Sequence, residues 1–180
     1  MFVRRQHVVA ALCAALAAVA LTRIGWAQDV ASSNLKAAYI YQFAFFTEWP
    51  ADTLTQGAPL TMCVIGDTAV RDALEQTIKK ATAPPRQIVV AFGLPDKPPP
   101  LCHALYVSGV TPAQAGRVLA GVRDLPVLTI SDLEGFNRMG GIAEFFSQGS
   151  QLVFAIRPDA VAQSRLQLSS RILRLAKVAR

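Results

Sequence analysis

Six aromatic residues fall within eleven positions, Tyr39 to Trp49, and the run closes on Pro50. Leu35, Tyr39, Phe43 and Phe46 recur at helical spacing, which predicts a helix that lays one face into a core. Ser32 or Ser33 supplies an N-cap, since a hydroxyl there accepts a free first-turn N–H. Tyr41 and Phe45 fall off that stripe, and Trp49 stands where the following proline disfavours helix. One helical face cannot bury all six rings. The remainder must cover a second element or meet a partner, which makes Phe45, Phe46, Trp49 and Pro50 candidate partner-binding residues.

What precedes this helix is built differently. Arg4 and Arg5 lead an unbroken apolar run from Val8 to Leu21, and Gly25, Trp26 and Ala27 bring small residues to a cleavage position. That is the layout of a secretory signal peptide over residues 1–27, and the run is short against the roughly 20 residues a membrane span needs. Residues 28–180 are then a single exported domain, expected in the periplasm. The full chain carries 18 Lys and Arg against 12 Asp and Glu, but the leader takes three arginines and no acid. The remaining excess of +3, spread thinly, does not make a nucleic-acid face. The basic residues of the last predicted helix, Arg165, Arg171, Arg174, Lys177 and Arg180, read as a solvated face.

Along the domain, strands are expected at Leu60–Ile65, Gln87–Phe92, Ala104–Val107 and Pro126–Ser131. Between them, a helix carrying Val70, Leu74 and Ile78 follows Asp67 as cap, and another follows Thr111-Pro112. The segment from Leu94 to Pro100 is a stiff, proline-rich connection. Residues 142–146 and 151–156 form a hairpin, and Pro158 opens a final helix of about 20 residues. The expected fold is a single α/β (or α+β) domain of layered type: a mixed central sheet flanked by helices, with a C-terminal hairpin and a long final helix.

Catalytic chemistry finds little support. His103 is the one histidine beyond the leader, no G-x-S-x-G elbow accompanies Ser108 or Asp132, and Cys102-His103 reads as ordinary strand-edge text. No phosphate-binding glycine motif, catalytic residue, metal-ligand spacing or cofactor signature is expected, so a non-enzyme is. Cys63 and Cys102 are the two cysteines left in an exported chain, and pairing is the expectation for an oxidising compartment. The alternative is two separate buried thiols. The segment Gly135–Gly141 places Phe136 and Met139 among three glycines. It reads either as a turn tucked on the core or as a mobile loop offering both side chains to a partner.

The wording KAAYIYQFAFFTEWP resembles the opening of the YfiR-like family of small periplasmic proteins. Cys63–Asp67, Ala104–Ser108, Val127–Phe136, Gly140–Phe145, Val153–Ile156 and Leu168–Ala176 follow in family order, so the resemblance spans Asn34 to Val178. It implies a binding protein that holds an inner-membrane diguanylate cyclase inactive through the cyclase's periplasmic sensor region. Cyclic di-GMP signalling and biofilm formation fall as a result. It also implies an outer-membrane lipoprotein able to sequester the inhibitor, and disulfides that steady the fold and link activity to redox state. Relatives carry further cysteines that this chain lacks. The aromatic surplus would also suit a homodimer. The alternative reading is a periplasmic small-molecule sensor, its pocket at the carboxyl ends of the strands, acting with another membrane signalling protein such as a sensor kinase.

Overall fold

A computed structural model describes residues 32–178 except 83, 85 and 98. The leader expected over 1–27, and Arg180, lie outside the described residues. Helix α1 covers residues 32–45. Then follow β1 (Thr47–Glu48), β2 (Leu60–Ile65), α2 (Thr68–Lys80), β3 (Ile88–Gly93), β4 (Ala104–Val107), α3 (Pro112–Val122) and β5 (Leu128–Ser131). The chain ends with β6 (Ala143–Gln148), β7 (Gln151–Ile156), α4 (Pro158–Gln163), β8 (Gln167–Leu168), α5 (Ser170–Leu175) and β9 (Lys177–Val178).

Seven strands form one mixed sheet in the order β3-β2-β4-β5-β6-β7-β9. The first five run parallel, the β6–β7 hairpin is antiparallel, and β9 is parallel to β7. All four residues of β4, and of β5, are buried, as strands covered on both faces must be. Alternation sends Met62, Val64, Tyr106, Ile130, Phe145 and Phe154 to one face, under α1, α2 and the short C-terminal helices. Cys63, Ile65, Leu105 and Val107 point to the other face, under α3 and the 133–139 turn.

The helix caps follow their chemistry. Asp67 accepts the Val70 N–H at 3.0 Å, and Thr111 and Gln114 close a reciprocal capping box behind Pro112. An ion pair from Lys36 on α1 to Asp132 after β5, at 2.6 Å, ties the helix to the sheet.

Two expectations need correction. The buried stripe of α1 is Ala37, Ile40, Phe43 and Ala44, whereas Leu35 is 45% exposed and Tyr39 and Phe46 are half-buried. The two alanines let the helix axis approach the sheet. Phe43 then stacks on Phe145 at 5.7 Å and meets Phe154 edge-on at 4.7 Å. The single long final helix is instead the two short helices α4 and α5. Helix α4 stops at Ser164, Arg165 adopts φ 57°, Leu166 is buried, and β8 pairs antiparallel with β1. That pairing, from a strand more than a hundred residues earlier, outweighs local helix propensity.

Candidate functional site

The aromatic end of α1 is fixed from several sides. Phe46 N–H donates to Gln42 O and Thr47 Oγ1 to Phe43 O, which close the helix before β1. Pairing of β1 with β8, and the Ser169 N–H donating to Phe46 O at 3.0 Å, clamp this segment to the C-terminal part of the chain. The Arg171 guanidinium lies 5.2 Å from the centre of the Phe46 ring. Pro50 begins a turn, its carbonyl accepting from the Thr53 and Leu54 N–H groups.

Trp49 is anchored on His103. The indole N–H donates to the His103 carbonyl at 3.3 Å, and the two rings meet edge-on at 6.3 Å. His103 is itself buried, and its Nδ1 accepts the Thr61 N–H at 3.0 Å, so the neutral ring carries its proton on Nε2. Burial holds this imidazole below the ordinary histidine range; the Thr53 carbonyl opposes that shift and Arg86 adds to it. A depressed histidine pKa means that the unfolded chain takes up the proton first. Stability is therefore full above the ordinary value of about 6.5 and falls as pH drops below it. Chemical denaturation followed by Trp49 fluorescence is expected to show this loss as the pH falls below about 6.5, and His103→Gln is expected to flatten it.

Around these anchors the rings divide into held and free. Phe45 is 49% exposed, stacked on Tyr41 at 6.3 Å and edge-on to Phe46 at 5.0 Å. Phe45 and Trp49 line a cleft of about 400 Å³ together with Tyr41, Glu48, Leu54 and Arg86, at the amino ends of β2 and β3. Arg86 is held there by donation to the Ala58 carbonyl at 3.1 Å. Of the four candidates in this segment, Phe45 and Trp49 line the cleft, which has an apolar wall and one charge of each sign, whereas Phe46, packed against the core, and Pro50 do not line it. Tyr41 was recognisable as a ring off the stripe; Arg86 comes from a distant connection and carried no local signal.

The other two candidates separate from them. Phe136 is fully buried in the second apolar cluster, so it packs the core and is not available to a partner. Its loop is tucked down: the Glu144 carboxylate accepts the Gly135 and Asn137 N–H groups, each at 2.9 Å, and Arg157 donates to Asn137 O. Met139 is half-buried against the same cluster.

Cys63 and Cys102 form a disulfide joining β2 to the residue pair ahead of β4, their Cα atoms 5.7 Å apart. Cys102 therefore offers His103 no thiol. A larger cleft of about 550 Å³ opens beside the bridge, between the Pro95–Leu101 connection and α3. The crevice between the carboxyl ends of β2 and β4, where parallel sheets commonly take ligands, is closed by Ser108 lying against Gly66. Among the described residues no group of three or more His, Cys, Asp or Glu could hold a metal. The sequence of residues 33–177 matches a family model described as YfiR/HmsC-like.

Proposed function

The chain belongs to the YfiR/HmsC-like family, and from that membership we propose that it is a periplasmic regulatory binding protein. It binds the periplasmic sensor region of an inner-membrane diguanylate cyclase and stabilises the inactive conformation, lowering cyclic di-GMP synthesis. The observation that carries the proposal for this chain is the aromatic rim. Phe45 stands half in solvent on a segment clamped by β8, His103 and Arg171, so a partner meets rings already ordered and loses little entropy in binding them. The same rim carries no hydrogen-bonded nucleophile and base, and the reading assigns it binding and no reaction.

Deleting the gene is expected to raise intracellular cyclic di-GMP, and restoring it to return the level. Phe45→Ala is the sharper test, because truncating an exposed ring leaves the core intact. It is expected to weaken association with the isolated sensor region roughly 30-fold, the effect of a hot-spot residue, with the melting temperature unchanged. Wild-type affinity in that variant would remove the rim from the interface.

The two clefts, of about 400 and 550 Å³, fall in the size range of small-molecule sites and favour a second reading, a ligand-tuned sensor. A thermal-shift screen of periplasmic metabolites tests it, since a bound ligand raises the melting temperature by mass action.

A further inference from the structure

We propose that the cleft beside the disulfide binds a single-chain zwitterionic amphiphile. The chain lies between α3 and the Pro95–Leu101 connection, and the head, with one charge of each sign, sits on Asp96 and Arg117. This site rests on the ligand-tuned reading and names the ligand class for the larger cleft; the aromatic rim stays with the protein partner. At about 550 Å³ the cleft has room for one such molecule. Leu105, Val118 and Val127 form a buried apolar floor, and Leu101 and Leu125, 59% and 50% exposed, carry the apolar surface outward. Among the described residues, the polar side chains lining it are Thr53, Asp96 and Arg117, and the Thr53 hydroxyl is already engaged by Asp52. The described buried side-chain atoms without a hydrogen-bond partner, Tyr106 Oη and Asn137 Oδ1, lie outside it. The inner part of a ligand finds nothing to bond with, so an apolar body is what enters without a desolvation cost.

A missing side chain opens α3 toward this space. Gly121 lines the cleft within the helix, and a Cβ built there meets nothing within 4 Å. Its φ is not in the left-handed region, so neither conformation nor packing calls for glycine at a position where it weakens the helix. What the glycine provides is the width of the cleft. On the other side Pro95, Pro99 and Pro100 stiffen the wall, and reciprocal backbone bonds between Leu94 and Lys97 close its turn. The cleft is therefore shaped before a ligand arrives.

Charge at the mouth selects the head. Arg117 stands one turn before Gly121 on the same side of α3, and its Nη2 donates to Asp96 Oδ1 at 3.0 Å. Among the described residues this is the one polar contact either side chain makes. Both are largely exposed, 60% and 72%, so the pair is weakly held and opens readily. The guanidinium keeps further donors and the carboxylate a second oxygen. A phosphate beside Arg117 and an ammonium beside Asp96 then complete a ring of four alternating charges. A head of one sign meets repulsion instead, an anion from Asp96 and a cation from Arg117.

Titration calorimetry of the purified protein with lysophosphatidylethanolamines of increasing chain length, kept below micelle formation, tests the site. Affinity is expected to rise about fourfold per methylene until the chain fills the cleft. Gly121→Phe fills the cleft from α3 and is expected to weaken binding about 30-fold or more. Gly116→Phe, on the same helix but outside the cleft and equally without a close neighbour, should bind as the parent does. Arg117→Gln is expected to cost about tenfold. Bound ligand should also slow reduction of the Cys63–Cys102 bridge, because Cys102 lines the cleft. Equal affinity for free phosphoethanolamine, or for an alkyl glucoside of the same chain, overturns the proposal. So does binding confined to vesicles of two-chain phosphatidylethanolamine, unchanged binding by Gly121→Phe, or a bridge reduced at the unliganded rate. No binding of any of these probes, beside a hit in the metabolite screen, overturns the ligand class and leaves the sensor reading standing; silence in both removes both.

Discussion

The double variant Cys63→Ala/Cys102→Ala is expected to melt on the order of 10 °C below the parent protein, with roughly 4 kcal/mol of stability lost. The bridge closes a loop of 39 residues in sequence separation. That loop holds α2, β3 and the proline-rich connection; it starts in β2 and ends two residues before the neighbouring parallel strand β4. Parallel strands cannot be joined by a tight turn, so without the bridge β4 must find β2 after the whole intervening unit has been ordered. Alanine is the right replacement because Cys63 is 1% exposed, and a serine hydroxyl there would add a desolvation cost of its own. Thermal unfolding with and without reductant checks the attribution. Reductant is expected to lower the melting temperature of the parent protein and leave the double variant unmoved. A parent protein insensitive to full reduction would mean that packing around Cys63 and Cys102 alone holds the strands.

This pairing was open to sequence reasoning because it depended on compartment and number, two cysteines in a chain expected to be exported, and on no geometry. The bounds of β2 and β4 were equally legible, since each is a short apolar run between clear breakers. So were the Asp67 and Thr111 caps, whose chemistry is local. What failed was everything settled by distant contacts. The spacing of large residues in α1 predicted a stripe through Leu35 and Tyr39. The sheet instead selected the side carrying Ala37 and Ala44, where the backbone can come closest. The final segment has strong helix formers, yet Ser164 and Ser169 break it where β1 claims β8. For Phe136 the glycines around it fitted a mobile loop or a packed one equally well. Glu144, from the next strand, decides for packing by accepting two of the loop's N–H groups. The aromatic rim was legible as a surplus of rings, but its division into Phe45 in solvent and Phe43 in the core was not.

Gly66→Ala is expected to cost roughly 3–5 kcal/mol, comparable to losing the disulfide, although it adds a single methyl group. Gly66 has φ +86°, in the left-handed region, and a Cβ built there would lie 2.0 Å from the Ser108 carbonyl oxygen. The obstacle is backbone at the end of β4, which cannot swing aside as a side chain would. Relief requires moving either the β2–α2 turn or the 108–110 turn, and both carry an adjoining helix cap. Gly57→Ala separates the two contributions. Its φ is +81°, but nothing lies within 4 Å of the added atom. It should therefore report the conformational cost alone, about 1–2 kcal/mol. Equal losses in the two variants, measured by denaturant titration, would show that the 108–110 turn yields freely and that the crevice at the carboxyl ends of β2 and β4 can open. A markedly larger loss at Gly66 means that the crevice is closed by rigid backbone. A small-molecule ligand, if the protein takes one, then has the clefts beside Trp49 and beside the disulfide to enter, and not this crevice.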